Sequence, residues 1–250
     1  MPFSDYKTAL VTGASSGIGA AIVERFCKEG LEVHALARSA DLLNDLSART
    51  GCHPHAIDVC NLEAITRLTE EIPFDILVNC AGINFPGSIT TATPTQVDTE
   101  IAVNLQSALH LVRLIMPGML ARDRGHIINI SSIAGIYNFI GSNTLYHTTK
   151  AAMHMLSRQL RVDALGKRVR VTEICPGRVA TDIFAHVNGT DTATARAQFI
   201  DGFELPQATD IADAIAFAVA APVAVNISNM EILPTLQVAA GLTTIKPEAL

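Results

Sequence analysis

The sequence predicts an α/β fold built on a parallel sheet, and three observations carry that prediction. Strand-like and helix-like segments alternate from one end to the other. Several strand-like runs are continuously apolar, the pattern of strands covered on both faces. The 250 residues are 49 % hydrophobic, enough for one large core. Aromatics are only 5 %, so Ala, Val, Ile and Leu must fill that core.

The expected strands are Thr8–Thr12, Val33–Ala37, His55–Val59, Ile76–Cys80, His126–Ser131, Val169–Ile174 and Ile227–Leu233. After the first, Ile18, Ile22, Phe26 and Cys27 share a helical face, and Gly30 ends that helix as a C-terminal cap. Thr93-Pro94-Thr95-Gln96 reads as a capping box with proline at the first helical position. The helix it opens should reach about Leu120, with Pro117-Gly118 bending or ending it. Further helices are expected over Tyr146–Leu165 and Asp210–Ala220. This alternation implies βαβ crossovers and a doubly wound, Rossmann-type sheet of about seven strands with helices on both faces. Residues 1–250 read as a single dinucleotide-binding domain. Segment 178–204, long, polar and rich in Thr and Ala, reads as a small lid, and 234–250 as a C-terminal tail.

Charge and composition exclude several functions. A net charge of −6, with no basic patch, argues against nucleic acid as a partner. No apolar run approaches the ~20 residues that cross a bilayer. The first residues, MPFSDYK, lack a signal-peptide pattern, and the five scattered cysteines read as reduced thiols, so a cytoplasmic location is expected. His53 and His55 have no further ligands nearby in sequence. They read as loop histidines, and no metal site is expected.

The stretch TGASSGIG, Thr12 to Gly19, lies where a strand passes into a helix. Glycines there allow a sharp turn and let the backbone approach a pyrophosphate, with the helix N-terminus facing the phosphates. The spacing Gly13-x-x-x-Gly17-x-Gly19 departs from the usual dinucleotide fingerprint. Four more motifs fall at or just beyond strand ends: NCAG at Asn79–Gly82, NISS at Asn129–Ser132, YHTTK at Tyr146–Lys150 and PGRVAT at Pro176–Thr181.

Together these motifs resemble the short-chain dehydrogenase/reductase family over almost the whole chain. The resemblance implies a nicotinamide cofactor held by Gly13, Ser15, Ser16, Gly17, Ile18, Gly19, Asp58, Val59, Asn79, Ala81, Gly82, Pro176, Gly177, Val179 and Thr181. It implies that Ser132 holds the substrate oxygen, that Lys150 binds the nicotinamide ribose, and that Asn104 holds a water in a proton relay. Two departures stand out. The Ser132–Tyr146 interval is one residue longer than the family's, so the loop through Tyr137, Asn138 and Phe139 should bulge. NCAG also replaces the usual NNAG.

Tyr146 and Lys150 stand at i and i+4 on one helix face. A phenol titrates near pH 10, and an adjacent ammonium is expected to lower that value, which would tune Tyr146 as acid and base. Ala37 stands where an NAD-preferring fold carries an acid, and Arg38 and Ser39 follow, a pair suited to a 2′-phosphate. NADP(H) is therefore the expected cofactor.

The stretch RVTEICPGRVATDIF and the ending VNISNMEILPTLQVAAGL resemble the branch of serine and 3-hydroxypropionate dehydrogenases and of sulfoacetaldehyde reductases. That resemblance implies a small polar, anionic aldehyde or alcohol. Arg178 is the candidate anion partner, with Tyr137, Asn138 and Asn143 as further donors. A reductase of bulkier ketones and a non-catalytic NADPH sensor are the alternatives; Ile183, Phe184 and Phe199 are the few apolar lid side chains. Ile101, Leu105, Leu109, Leu156 and Leu160 give two helices more than one apolar face, and the resemblance implies a homotetramer, with a dimer as the smaller option.

Overall fold

The computed structural model describes residues 3–138, 143–181, 191–238 and 243–247. Its seven parallel strands are β1 (Thr8–Thr12), β2 (Glu32–Ala37), β3 (His53–Ala56), β4 (Ile76–Asn79), β5 (Gly125–Ile130), β6 (Val169–Pro176) and β7 (Asn229–Ile232). They lie in the order β3-β2-β1-β4-β5-β6-β7. The chain builds outward from β1 in one direction, then returns to the other side at β4, so the order reverses between those two strands. That reversal opens a crevice at their carboxyl ends.

The helices are α1 (Gly17–Lys28), α2 (Ala40–Thr50), α3 (Leu62–Glu71), α4 (Pro94–Ile101), α5 (Ser107–Ala121), α6 (Thr144–Asp163), α7 (Thr192–Phe199) and α8 (Ala208–Ala220). They cover both faces, and each face has its own core. Ile22, Phe26, Val11, Val33, Ile128 and Ile215 belong to one. Leu10, Leu36, Phe74, Leu77, Leu111 and Ile127 belong to the other. Alternate residues of one strand, such as Leu10 and Val11, feed opposite cores, which explains the unbroken apolar runs.

Local chemistry fixes several boundaries. Gly30, at φ +86°, follows the last turn of α1. Thr93 and Gln96 form the expected capping box ahead of Pro94. The long helix is not uniform, because residues Ala102–Gln106 take a π-helical turn between α4 and α5. Pro117 does not end α5, which continues to Ala121. Pro117 is exposed, as is Arg113, whose carbonyl loses its helical donor; water can satisfy it there. β3 begins two residues earlier than expected and stops at Ala56. Beyond it Ile57 N–H donates to the Ala37 carbonyl, and the Asp58 carboxylate accepts from Cys60 N–H, turning the chain. His53 and His55 therefore stand on a strand rather than in a loop. Segment 178–204 contains α7, while Ile183 and Phe184, like Phe139, lie outside the described residues.

Of the apolar residues expected to cover a subunit contact, Ile101 and Leu109 face outward. Leu160 instead packs into the sheet core and Leu156 packs against it. Met155 and Val162 on α6 are exposed, so the outward face of that helix is offset from the expected one. No described helix is long and apolar enough to cross a membrane.

Candidate active site

The glycine turn packs on the strand beyond the switch point. Gly13 has φ +65°, and a Cβ there would lie 2.9 Å from Ala81 Cα, so only glycine fits. Gly17 approaches the Thr181 side chain, which joins the first turn to the segment after β6. Thr12 Oγ1 accepts from both Cys80 and Ala81 N–H at 3.0 Å and fixes the NCAG turn against β1. Ser16 caps α1 with extended backbone and no side-chain hydrogen bond to the helix. The N–H groups of that first turn are thus available to an anion. Asn79 donates to Asn129 at 2.8 Å, while its buried Oδ1 has no hydrogen-bond partner. The tight Gly13–Ala81 contact, the open helix N-terminus and this orphaned acceptor fit a dinucleotide.

The outer rim is also where the sequence places it. Arg38 and Ser39 are exposed immediately beyond β2. Asp58 and the part-buried Val59 occupy the turn beyond β3. Pro176 ends β6, and Gly177, buried Val179 and Thr181 follow it.

The reactive side chains meet across β5 and α6. Ser132 caps a 3-10 turn, Ile133–Gly135, its Oγ accepting from Ala134 N–H at 3.1 Å. Gly135 in that turn lies so close to α6 that a Cβ would fall 2.5 Å from the Lys150 carbonyl. This contact sets the Ser132 hydroxyl near the Tyr146 phenol. Lys150 Nζ lies 5.5 Å from the Tyr146 ring centroid and donates to the Ile130 carbonyl at 2.8 Å. Gly82 lies beside both Lys150 Nζ and Asn104 Oδ1.

Asn104 sits in the π-helical turn. Its Oδ1 accepts from Ile83 N–H, and its Nδ2 donates to the Ile83 carbonyl and to Thr149 Oγ1. Both amide hydrogens are used by the protein, so the side chain ties the NCAG loop to α6. A water could find only the second lone pair of Oδ1.

The electrostatics correct one expectation. Lys150 was expected to lower the Tyr146 phenol; instead burial pushes Tyr146 up to about 12. The Ser132 hydrogen bond opposes the rise, and Glu100 and Cys80 add to it. Burial also brings Lys150 down to about 8, against the pull of Cys80, Cys175, Glu100 and Glu173. Desolvation is the largest cause for both groups, because burial disfavours whichever form is charged. Burial likewise pushes the Cys80 thiol up to about 12, so it is neutral at pH 7.

Glu100 is a site residue that sequence reasoning missed. It is fully buried on α4, its Oε2 accepts from Phe85 N–H at 2.9 Å, and its Oε1 has no hydrogen-bond partner. Burial raises its carboxyl, and Lys150 opposes that rise. The available signal was its position four residues before Asn104, on the same helix face.

The expected substrate side chains are spread more widely. Asn143 Oδ1 is buried with no hydrogen-bond partner, and the Asn143 carbonyl accepts from His147. The Tyr137 hydroxyl donates to Glu231 on β7, and Asn138 is exposed. The Arg178 guanidinium lies over the Phe203 ring at 5.1 Å, and Arg178 N–H donates to Gln237.

Residues 7–192 match the family model described as short chain dehydrogenase. The chain belongs to that family. Its relatives include a protein named serine 3-dehydrogenase from Rhizobium radiobacter, 36 % identical over 94 % of this chain and 96 % of the relative. A protein named NADP-dependent 3-hydroxy acid dehydrogenase YdfG from Escherichia coli K12 is 35 % identical over 93 % of this chain and 97 % of the relative. Among solved structures, a closed serine dehydrogenase complexed with NADP+ superposes with a TM-score of 0.88 at 32 % identity, covering 96 % of this chain and 99 % of that one. The short-chain dehydrogenase sheet and its carboxyl-end crevice thus account for the positions of Ser132, Tyr146 and Lys150.

Proposed function

We propose that this short-chain dehydrogenase interconverts a small, anionic polar aldehyde and its alcohol, with Tyr146 as proton donor and acceptor. The observation that carries the reading is Lys150 Nζ held 5.5 Å from the Tyr146 ring centroid, with the Ser132 hydroxyl near the phenol. NADP is the cofactor, and bound NADPH supplies the hydride. Gly13, the first turn of α1 and Asn79 hold its phosphates and nicotinamide half, and Arg38 with Ser39 recognises the 2′-phosphate.

Ser132 holds the substrate oxygen beside the phenol. Tyr146 gives that oxygen a proton in reduction and takes one in oxidation. Lys150, placed at the ring by α6, supports the phenolate that reduction leaves, and Asn104 keeps the NCAG loop against α6 while this happens. Arg178, at the root of segment 178–204 and with its guanidinium over the Phe203 ring, receives the substrate anion by paired hydrogen bonds. The names of the relatives favour a carboxylate over a sulfonate.

The test is NADPH consumption with a panel of short aldehydes: semialdehydes, sulfoaldehydes and neutral analogues. Semialdehydes should give the highest kcat/KM, and Arg178→Ala should raise KM for anionic substrates while leaving neutral ones almost unchanged. A higher kcat/KM for bulky neutral ketones would reject the substrate class, and equal loss on both classes would make Arg178 an organiser of the segment.

A further inference from the structure

We propose that Glu32, His34 and His53 form a binding site for a divalent transition-metal ion of the zinc class, with His55 orienting His34. The site lies on the outer strands of the sheet, at their amino half, away from the carboxyl-end crevice.

Strand geometry assembles it. Side chains two apart on a strand share a face, which pairs Glu32 with His34 and His53 with His55. The parallel register sets His34 opposite His53 and Leu36 opposite His55. Four side chains separated by up to 23 positions therefore meet on one face. A sequence reading that looks only for neighbouring ligands misses this cluster.

The distances suit a metal. Glu32 Oε1 lies 3.3 Å from His34 Nε2 and 3.6 Å from His53 Nε2. All three donor atoms lie within 4.8 Å of one another. Tetrahedral zinc binds nitrogen and carboxylate oxygen at about 2.0–2.2 Å, so its ligands stand roughly 3.3–3.6 Å apart. Two of the three edges already have that length. His53, with a side chain 56 % exposed, can close the third.

The surroundings preorganise the inner ligand. The His34 ring lies nearly parallel to those of His53 and His55, with centroids 4.8 and 5.1 Å away, and Phe74 is edge-on at 5.3 Å. His34 Nδ1 lies 2.9 Å from His55 Nε2. When Nδ1 carries the proton and donates to His55, the Nε2 lone pair faces the Glu32 carboxylate, and a cation between them satisfies both. The opposite tautomer pairs Nε2–H with Glu32 without an ion, so metal binding selects between two tautomers that His55 can serve equally. Glu32 and His53 are exposed, which gives the ion an entry path and leaves a fourth position for water.

An ion there would pin β3, the edge strand, to β2. The experiment is a calorimetric titration of chelator-stripped, tag-free protein with zinc chloride, with cobalt(II) as a visible probe of four-coordinate geometry. One zinc per chain is expected, with a rise in Tm under saturating zinc. His53→Ala, an exposed change that keeps the fold, should abolish binding; Glu32→Gln should weaken it at least tenfold, and His55→Ala about 10–100-fold. A second trio, His154, Glu173 and Cys175, also has donor atoms close together, so His154→Ala is the control and should leave the stoichiometry unchanged. Absence of zinc binding to the unmodified protein, unaltered affinity in His53→Ala, or loss confined to His154→Ala would each overturn the proposal.

Discussion

Replacing Tyr146 by Phe removes one hydroxyl from the proposed proton path and little else. The ring keeps its place beside Lys150 Nζ, 5.5 Å from its centroid. Ser132 loses the phenol as partner, but its oxygen still accepts from Ala134 N–H, so no buried group is left wholly unsatisfied. Folding stability should change by less than about 1 kcal/mol. Positioned proton transfer contributes ~10²–10⁴-fold, so kcat should fall by that factor, about 2.7–5.4 kcal/mol of transition-state stabilisation. The pH profile gives a second reading. With the phenol raised to about 12, Tyr146 stays protonated and able to donate throughout the neutral range. Lys150, lowered to about 8, is charged below that pH and neutral above it. Reductive kcat/KM, which reports the free enzyme, should be flat below pH 8 and decline as pH rises through that value. The assay is loss of reduced-nicotinamide absorbance across pH 6–10 with the best aldehyde of the panel. A Tyr146→Phe enzyme retaining more than about a tenth of normal turnover would refute Tyr146 as the acid.

Three further outcomes follow from the same geometry. Arg38→Ala combined with Ala37→Asp should raise KM for NADPH and lower that for NADH; equal use of both cofactors by the starting protein would remove Arg38 from the argument. Glu100→Gln keeps the shape but removes a carboxylate that favours the Lys150 ammonium, so the alkaline decline should begin at lower pH, and an unmoved limb would mean Glu100 only supports Phe85. The exposed Ile101, Leu109, Met155 and Val162 leave apolar surface to be covered, and the homotetramer that the family resemblance implies is the mass expected by light scattering at micromolar concentration; Leu109→Glu should lower it, and a monomeric starting protein would exclude the assembly.

Much of the fold was legible because its signals are local. Apolar runs marked most of the seven strands, the Thr93–Gln96 box marked a helix start, and glycine spacing marked the turn after β1. Each needs only a few consecutive residues and one short-range physical cause. The candidate site was legible to the same depth, since its motifs sit at strand ends that the sheet brings together.

The sequence by itself singled out the residues to which chemistry is assigned in the proposal and the element that presents each. Tertiary structure decided what those residues experience. Tyr146 next to a lysine reads as an acidified phenol, yet burial raises it, because desolvation depends on all the atoms packed around the pair. Asn104 reads as the holder of a relay water, yet the Ile83 carbonyl after β4 and Thr149 on α6 take both of its amide hydrogens. Glu100 becomes a buried carboxylate only once α4 packs it inward, and His34 gains His53 and His55 only through the β2–β3 register. Proximity in sequence carries a helix cap or a turn; the dielectric around a charge and the neighbours across a sheet exist only once distant segments have packed.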